Sequence, residues 1–212
     1  MSIVDKKTYR CPKCGADIEV RIWTVLNADV TPAADEELIR GEIFGADCPG
    51  CGQHIEILYP FLLHDMNHET LVYYLPEDKS IDDAESFFAT WRQQFRFTEY
   101  NYRVVRTHKQ LYEKAAILHE GMDDRLVEIF KCLMSASGEQ EHPGIYDGEC
   151  YASFPEGQIA LTFQYSGQTL HSLSDIGEMT RILPVFAKNI DATPITDYAV
   201  DRNWAERVLE RT

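Results

Sequence analysis

Four of the six cysteines lie in two copies of one short pattern, Cys11-Pro-Lys-Cys14-Gly and Cys48-Pro-Gly-Cys51-Gly. Proline fixes φ after the first cysteine, and glycine permits a positive φ after the second, so each turn can direct backbone N–H groups at sulfur. Two such turns supply four thiolates in a tetrahedron, the ligand set of a closed structural zinc site. We therefore predict that Cys11, Cys14, Cys48 and Cys51 bind one zinc ion.

The length of chain between the two turns does not oppose this prediction. Thirty-three residues separate Cys14 from Cys48, but doubling the length of a closed loop costs only about 0.6 kcal/mol. Structural zinc binding is worth on the order of 10 kcal/mol. Iron is the alternative metal, since rubredoxin-like electron carriers use the same turn. We favour zinc because no other residue pattern indicates redox chemistry.

The second cysteine pair also has the spacing of a different kind of zinc site. Cys48, Cys51, His64 and His68 have the spacing of a two-cysteine, two-histidine zinc finger, which would place a helix in a DNA groove. The residues before the histidines instead alternate like a strand, and a proline interrupts them. No lysine or arginine occurs from residue 52 to 68, although phosphate contacts require cations. A finger would also leave the first cysteine pair without a role, so the four-cysteine site is favoured.

The two histidines are then outside the predicted metal site. We expect His64 and His68 to lie in a loop or at a strand edge, within the short segment His64-Asp65-Met-Asn-His68. A second metal site formed by His64, Asp65 and His68 is a lesser alternative. The sequence assigns no function to these three residues.

The formal net charge of −15 restricts the partners that the chain can bind. An acidic protein repels nucleic acid and anionic membrane surfaces. The N-terminal residues lack the apolar segment of a secretory signal, and the apolar run 57–63 is too short to cross a bilayer. Paired Cys-x2-Cys motifs are typical of metal ligation in a reducing compartment. We expect a cytoplasmic protein that does not bind membranes.

One segment, residues 91–114, is basic and aromatic within this acidic chain. Its six cations are Arg92, Arg96, Arg103, Arg106, Lys109 and Lys114, against two acids, Glu99 and Glu113. Its aromatic residues are Trp91, Phe95, Phe97, Tyr100, Tyr102 and Tyr112. Arginine beside aromatic rings can bind single-stranded nucleic acid. The favoured interpretation is a set of core aromatics with arginines paired to acids, and an acidic partner protein or a second copy would also fit the segment.

Short strands are predicted around the two cysteine turns in the first 75 residues, one after each turn and one further along the chain. The alternation of Ile18, Val20 and Ile22 indicates a half-buried strand, and residues 55–59 and 71–75 are expected to form two more. A short helix is expected from Pro32 to Arg40, since proline opens it and glycine follows it.

Strands and helices also alternate through the rest of the chain. We expect a strand at 102–106, helices opening at Thr107 and at Asp123 or Asp124, and strands at 151–154 and 159–165. A helix interrupted at Pro184 is expected at 179–190, and a last helix at 201–211. The polar stretch 135–148 is the predicted domain boundary. The sequence therefore predicts an α+β protein, with an elaborated zinc ribbon of short antiparallel strands and packed helices at 1–134 and a smaller α+β region at 149–212.

Several separated segments resemble bacterial CpXC domain proteins. They are the paired Cys-Pro-x-Cys motifs, Val25-Leu-Asn-Ala, Leu38-Ile-Arg-Gly41-Glu, Tyr59-Pro-Phe-Leu-Leu-His64-Asp65, Leu71-Val-Tyr-Tyr-Leu-Pro76, Arg103-Val-Val-Arg-Thr, Glu113-Lys-Ala and Asp123-Asp-Arg-Leu-Val-Glu-Ile-Phe-Lys131. The resemblance covers about the N-terminal three-fifths of the chain. It implies metal ligation by Cys11, Cys14, Cys48 and Cys51 and implies no catalytic residue, since the biochemical function of the family is uncharacterised.

The function predicted from these observations is that of a structural-zinc protein that binds a partner protein or a second copy of itself. No residue constellation for catalysis is evident, so an enzyme is disfavoured. Two alternatives stay open. One is a nucleic-acid-binding protein that uses residues 91–114, and the other is a hydrolase with an unidentified site.

Overall fold

The computed structural model describes residues 1–95, 99–181 and 183–211. The strands are β1 Ile3–Arg10, β2 Asp17–Asn27, β3 Gly45–Asp47, β4 His54–Glu56, β5 Phe61–Asp65, β6 Thr70–Tyr74, β7 Asn101–Val105, β8 Glu149–Ser153, β9 Gln158–Tyr165 and β10 Gln168–Asp175. The helices are α1 Pro32–Ile39, α2 Ile81–Phe95, α3 His108–His119, α4 Asp124–Gly138, α5 Ile176–Arg181, α6 Leu183–Ala192 and α7 Arg202–Leu209. The predicted α+β class is confirmed.

The chain divides into two units, residues 1–115 and 116–212. This division lies earlier than the stretch 135–148 that the sequence indicates as a boundary. The helix α4 belongs to the second unit because it packs there on β8 and on α7. The predicted domains, 1–134 and 149–212, are a different partition of the chain and stay a prediction.

The first unit contains a five-stranded sheet with the order β1-β2-β5-β6-β7. The pairs β1–β2 and β5–β6 are antiparallel, whereas β2–β5 and β6–β7 are parallel. Parallel neighbours need a long crossover connection. The segment with α1 and the β3–β4 hairpin connects β2 to β5, and the segment with α2 connects β6 to β7. The sheet is therefore mixed, whereas only antiparallel strands were expected.

The two strands β5 and β6 are buried at every residue. A central strand covered on both faces requires a continuous apolar run, which Phe61, Leu62 and Leu63 supply. The predicted loop position of His64 is wrong, because His64 and Asp65 are the last residues of β5 and are both buried.

The strand expected at residues 55–59 is shorter and begins earlier than predicted. It is β4, His54–Glu56, and it pairs with β3 in a separate two-stranded hairpin. The following residues leave this hairpin and lead into β5. Proline cannot donate a ladder hydrogen bond, so Pro60 lies between the two strands rather than inside one.

Phe44 is the centre of an aromatic cluster in the first unit, and its side chain is 1% exposed. Its ring centroid lies 4.0 Å from that of His108, 5.0 Å from Tyr59, 5.2 Å from Phe61 and 5.9 Å from Tyr74. The cluster therefore connects the segment after α1 with β5, β6 and the first turn of α3.

The second unit is built around α4, which has two apolar faces. One face, with Val127 and Phe130, belongs to a core cluster with Ile159, Leu161 and Phe163 of β9. The other face packs on α7 and α6 in a second cluster, whose members include Leu126, Ile129, Cys132, Phe186, Ile190 and the fully buried Trp204. The strands form an antiparallel sheet in the order β10-β9-β8.

Four strands were not predicted, namely β1, β3, β5 and β10. The strands β3 and β5 lie on either side of the strand expected at 55–59, and the other two, β1 and β10, share one feature. Both lie at the edge of their sheet and are largely exposed, so they lack the apolar alternation that indicates a strand. The helix expected at 179–190 corresponds to α5 and α6, which lie on either side of residue 182, outside the described residues. Pro184 is part of α6.

Among the residues that the structure describes, no helix is both long and apolar enough to cross a membrane.

Replacing Phe44 by alanine should lower the free energy of unfolding by about 3–5 kcal/mol, because it removes a buried ring from a packed cluster. Denaturant unfolding followed by circular dichroism measures this change. The control is Val30→Ala, at a side chain that is 59% exposed, which should change stability by less than about 0.5 kcal/mol. Equal effects of the two substitutions would contradict the central position of Phe44.

Candidate metal centre

Each cysteine turn connects the two strands of a hairpin. The first turn lies between β1 and β2, and the second lies between β3 and β4. In the first, Cys11 N–H donates to the Ala16 carbonyl and Gly15 N–H donates to the Cys11 carbonyl, both at 2.9 Å. The second turn repeats both bonds at the same distance, from Cys48 N–H to the Gln53 carbonyl and from Gly52 N–H to the Cys48 carbonyl. The two turns therefore have the same backbone fold.

The glycines that follow the second cysteine of each turn have the conformation that the sequence pattern predicts. Gly15 has a φ of 74° and Gly52 a φ of 69°. Residues with a side chain rarely adopt this region, because Cβ would approach the neighbouring carbonyl oxygen. Backbone geometry thus favours glycine at this position in both turns.

The structure brings the four cysteine sulfurs together. All four Sγ atoms lie within 4.8 Å of one another. The Cys11 and Cys51 sulfurs are 3.7 Å apart, and those of Cys14 and Cys48 are 3.5 Å apart. A tetrahedral ion with metal–sulfur bonds of about 2.3 Å requires sulfurs separated by about 3.8 Å. The observed distances fit such an ion, so these four residues can hold a metal.

The cluster is closed on one side and open on the other. Cys11 and Cys48 are buried, whereas Cys51 is half-buried and Cys14 is exposed. The buried pair belongs to an apolar cluster with Ile18, Val20 and Ile22 of β2, whose alternation the sequence predicts. The first cysteine of each turn is therefore fixed against the sheet, and the second faces outward.

Gly50 lies where the two turns meet. A Cβ atom at this position would be 3.1 Å from the Ala16 Cβ and 3.3 Å from the Cys14 Sγ, closer than side chains normally pack. The Gly50 N–H also lies 3.4 Å from the Cys48 sulfur, within donating distance. The glycine at this position thus permits the approach of the two hairpins. Sequence reasoning missed this role, although the variable position of the motif is lysine in one copy and glycine in the other.

Two of the neighbouring thiols, those of Cys11 and Cys51, have pKa values that are shifted in opposite directions. The pKa of Cys11 is lowered to about 6, mainly because the Cys14 backbone N–H donates to its sulfur. The pKa of Cys51 is raised to about 12, since burial and the three other cysteines outweigh the lowering effect of the Gln53 N–H. Adjacent thiolates repel one another, so one thiol ionises readily and the last resists. A bound cation removes this repulsion and releases the protons.

Comparison with known protein families decides the relationship of the chain. The sequence model of the family described as CpXC protein matches residues 9–131, more than half of the chain. The chain belongs to the CpXC family. The match contains both cysteine turns, the aromatic cluster around Phe44 and the first half of α4, and the predicted resemblance is confirmed. No curated protein and no solved structure matches this CpXC protein.

The two histidines that match the spacing of a zinc finger, His64 and His68, lie outside the cysteine cluster of this CpXC protein. The His64 ring lies 3.3 Å from the Asn27 side-chain amide through Nδ1 and 3.3 Å from the Tyr100 hydroxyl through Nε2. His68 Nδ1 instead lies 2.8 Å from Asp65 Oδ2. In the described part of the chain, the four cysteines are the only group of three or more His, Cys, Asp or Glu that could hold a metal ion.

The His64 network connects β2, β5 and the residues before β7 through polar atoms. Asn27 is fully buried, and its side-chain oxygen accepts the Val30 N–H at 3.0 Å. Burial lowers the pKa of His64 below its ordinary value of 6.5, in spite of the opposing charges of Asp29 and Asp65. His64 is thus a neutral structural histidine near pH 7.

Arginines of the basic segment 91–114 contact their own unit. The Arg92 guanidinium lies over the Tyr102 ring, 4.3 Å from its centroid. Arg103 is buried and donates to the Tyr102 carbonyl at 3.0 Å, and Arg106 donates to the Lys79 carbonyl at 2.9 Å. Arg96 and Phe97, which the sequence analysis includes in this segment, lie outside the described residues.

One contact with the second hairpin was not predicted from sequence. The Nδ1 atom of His108 lies 2.5 Å from Glu56 Oε1, which joins the first turn of α3 to β4. His108 Nε2 is buried without a hydrogen-bond partner, and the His108 ring stacks on Phe44. No sequence signal indicates this pair, since 52 residues separate its members.

Replacing Gly15 by alanine should lower the free energy of unfolding by about 1–2 kcal/mol, because the residue keeps a positive φ. No atom lies within 4 Å of the added Cβ, so the cost is confined to the backbone. A Zn²⁺ titration against a competing chelator should also show weaker binding by the variant, because the strained turn misdirects its N–H groups.

The matched control is Gly157→Ala in the β8–β9 hairpin, where φ is 77° and the Cβ position is equally open. It should lose a similar amount of stability and keep its metal affinity. Equal metal affinities in both variants would show that the first turn does not shape the site.

Stability should depend on the protonation of His64. Because its folded pKa is below 6.5, the neutral ring stabilises the fold above this pH, and the contribution declines as the pH falls below it. Relative to His64→Gln, the wild type should lose about 1 kcal/mol of stability between pH 7.5 and 5.5. Unfolding curves at both pH values measure this, with the exposed His171→Gln as control. An equal change in the free energy of unfolding of wild type and His64→Gln between the two pH values would disprove this prediction.

Proposed function

We propose that the protein binds one zinc ion through Cys11, Cys14, Cys48 and Cys51, and that the ion is structural. The observation that supports this most strongly is the set of sulfur separations, 3.5 and 3.7 Å, which agrees with a tetrahedral four-thiolate site. When bound, the ion supplies a cross-link between the β1–β2 and β3–β4 hairpins rather than reactive chemistry.

The elements around the cluster account for the need for such a cross-link. The β3–β4 hairpin has only three residues in each strand, and an isolated two-stranded hairpin is marginally stable in water. Its contacts with the rest of the first unit include the cysteine cluster, the apolar residues below it and the Glu56–His108 pair. A metal bound by both turns would hold this hairpin against β2 with a free energy on the order of 10 kcal/mol.

Zinc is the proposed metal, and iron is the alternative with the same ligands. Four protein thiolates complete a tetrahedral coordination shell, which is typical of structural zinc sites, whereas catalytic zinc keeps a position for water. The proposed role is therefore non-catalytic. The zinc-stabilised hairpins present a surface for a protein partner, in the reducing cytoplasm that these thiols require.

We assign the three arginines of segment 91–114 whose contacts are described, Arg92, Arg103 and Arg106, to the fold rather than to nucleic-acid binding. Arg103 and Arg106 donate to backbone carbonyls, and Arg92 covers an aromatic ring of the same segment. Cations that neutralise phosphates need exposed head groups. The net charge of −15 adds long-range repulsion. No observation favours the hydrolase alternative.

Replacing Cys11 or Cys48 by serine should reduce the zinc content from about one ion per chain to none and should unfold the first unit at 37 °C, because metal binding and folding are coupled. Elemental analysis of protein purified without added metal measures zinc and iron together. The control is Cys132→Ala, at a cysteine in the core of the second unit. Full metal retention in both serine variants would refute the proposed site, and one equivalent of iron would replace zinc as its metal.

A further inference from the structure

The strand β1 is an exposed edge of the five-stranded sheet. It lies at the end of the strand order and pairs with β2. Seven of its eight residues are exposed, and Tyr9 is half-buried. An edge strand presents a row of backbone N–H and C=O groups to which another strand can pair. The opposite edge of the sheet, β7, differs because four of its five residues are buried.

Two apolar side chains on this edge face solvent. Ile3 is 46% exposed and Val4 is 44% exposed. Such β-branched residues favour a paired strand. The same edge also carries Lys6 and Lys7, and lysines on an edge normally oppose pairing with another chain. The arrangement of charges along the strand decides between these effects.

The sequence of β1 is complementary to itself in one antiparallel register. Two copies that form one continuous sheet in this way are related by a two-fold axis perpendicular to the sheet. Residues that lie opposite each other then have their side chains on the same face, so their two residue numbers add up to an even number. An axis at Lys6 places Asp5 of each copy opposite Lys7 of the other copy, which gives two pairs of opposite charge. It also places Ile3 opposite Tyr9 and Val4 opposite Thr8, pairs that stabilise antiparallel sheets.

The registers on either side lack this complementarity. An axis at Asp5 places the two Asp5 carboxylates opposite each other and Ile3 opposite Lys7. An axis at Lys7 places Lys7 opposite Lys7 and Val4 opposite Arg10. In the register centred on Lys6, the Lys6 residues of the two copies lie opposite each other. Each Lys6 ammonium also lies 2.6 Å from the Glu19 carboxylate of the same chain, which offsets the repulsion between the two ammonium groups.

We propose that a second copy of this chain pairs with β1 through its own β1, antiparallel and centred on Lys6, to join two five-stranded sheets into one of ten strands. This inference deepens the proposed interaction role and rests on it, while the metal site is tested separately. The dimer is of modest affinity, because seven residue pairs bury little area and two chains of charge −15 repel each other. Physiological salt screens that repulsion over about 8 Å.

The test is a charge exchange on β1, measured by sedimentation equilibrium of the full chain in 0.15 M salt from micromolar to several hundred micromolar protein. Asp5 and Lys7 are exposed and lie opposite the β2 residues Ile22 and Val20, so the fold tolerates their replacement. Asp5→Lys and Lys7→Asp should each raise the dimer dissociation constant about tenfold or more, because each places like charges opposite each other twice.

The double variant, Asp5→Lys with Lys7→Asp, should restore the wild-type dissociation constant. Lys188→Asp changes the net charge as Lys7→Asp does, at an exposed position on α6, and should leave the dimer intact. A monomeric wild type at all concentrations would overturn the inference. So would a dimer that is insensitive to the single substitutions, or a double variant without recovery, since either result assigns the contact to another surface or partner.

Zinc analysis of the same samples separates the two proposals. Variants that dissociate but keep one zinc per chain would support the β1 interface independently of the metal site. Loss of zinc in Lys7→Asp would instead overturn the inference, because the charge would then act through the nearby cysteine turn rather than across a dimer.

Discussion

The meeting of two hairpin turns at four sulfur atoms is the constraint on which the first unit depends. The sulfurs of residues that are 34 and 40 positions apart lie 3.5 and 3.7 Å from each other, although neutral thiols attract each other weakly. The buried cysteines rest on the apolar face of β2, and Gly50 leaves the space that the turns need. The connection from β2 to β5 passes through the second of these turns, so the geometry at sulfur also determines how the parallel pair in the sheet is joined.

The second unit depends on a different principle, burial of apolar surface by a single helix. The two faces of α4 belong to separate clusters, one with the three-stranded sheet and one with Trp204 of α7. Among the described residues, each of these clusters contains a single cysteine and neither contains a group of ligands that could hold a metal ion. Within one chain, therefore, two short hairpins meet at a cluster of cysteines, and a second α+β unit is built on hydrophobic packing alone. This contrast agrees with the greater difficulty of forming a core from short strands.

The sequence predicted the features that local chemistry determines. The conformations of Gly15 and Gly52, the alternation in β2 and the start of α4 follow from neighbouring residues, and the structure agrees with each. It did not predict β1, because an edge strand with exposed lysines has no apolar period to detect. It also misplaced His64, whose burial depends on Asn27 and Tyr100, which are 37 and 36 residues away. Contacts between such distant residues, including Glu56 with His108, are absent from local patterns.

The two turns have the same backbone, but they differ in the substitutions that they tolerate. Lys13 lies in the exposed turn and has room for its long side chain, whereas any side chain at Gly50 would crowd Ala16 and the Cys14 sulfur. The first turn can thus accept glycine in place of Lys13, whereas the second turn cannot accept lysine in place of Gly50. The two copies of the motif are therefore equivalent in the cysteines that they supply, but they are not interchangeable. As related sequences diverge, the residue between the cysteines can vary more in the first copy than in the second.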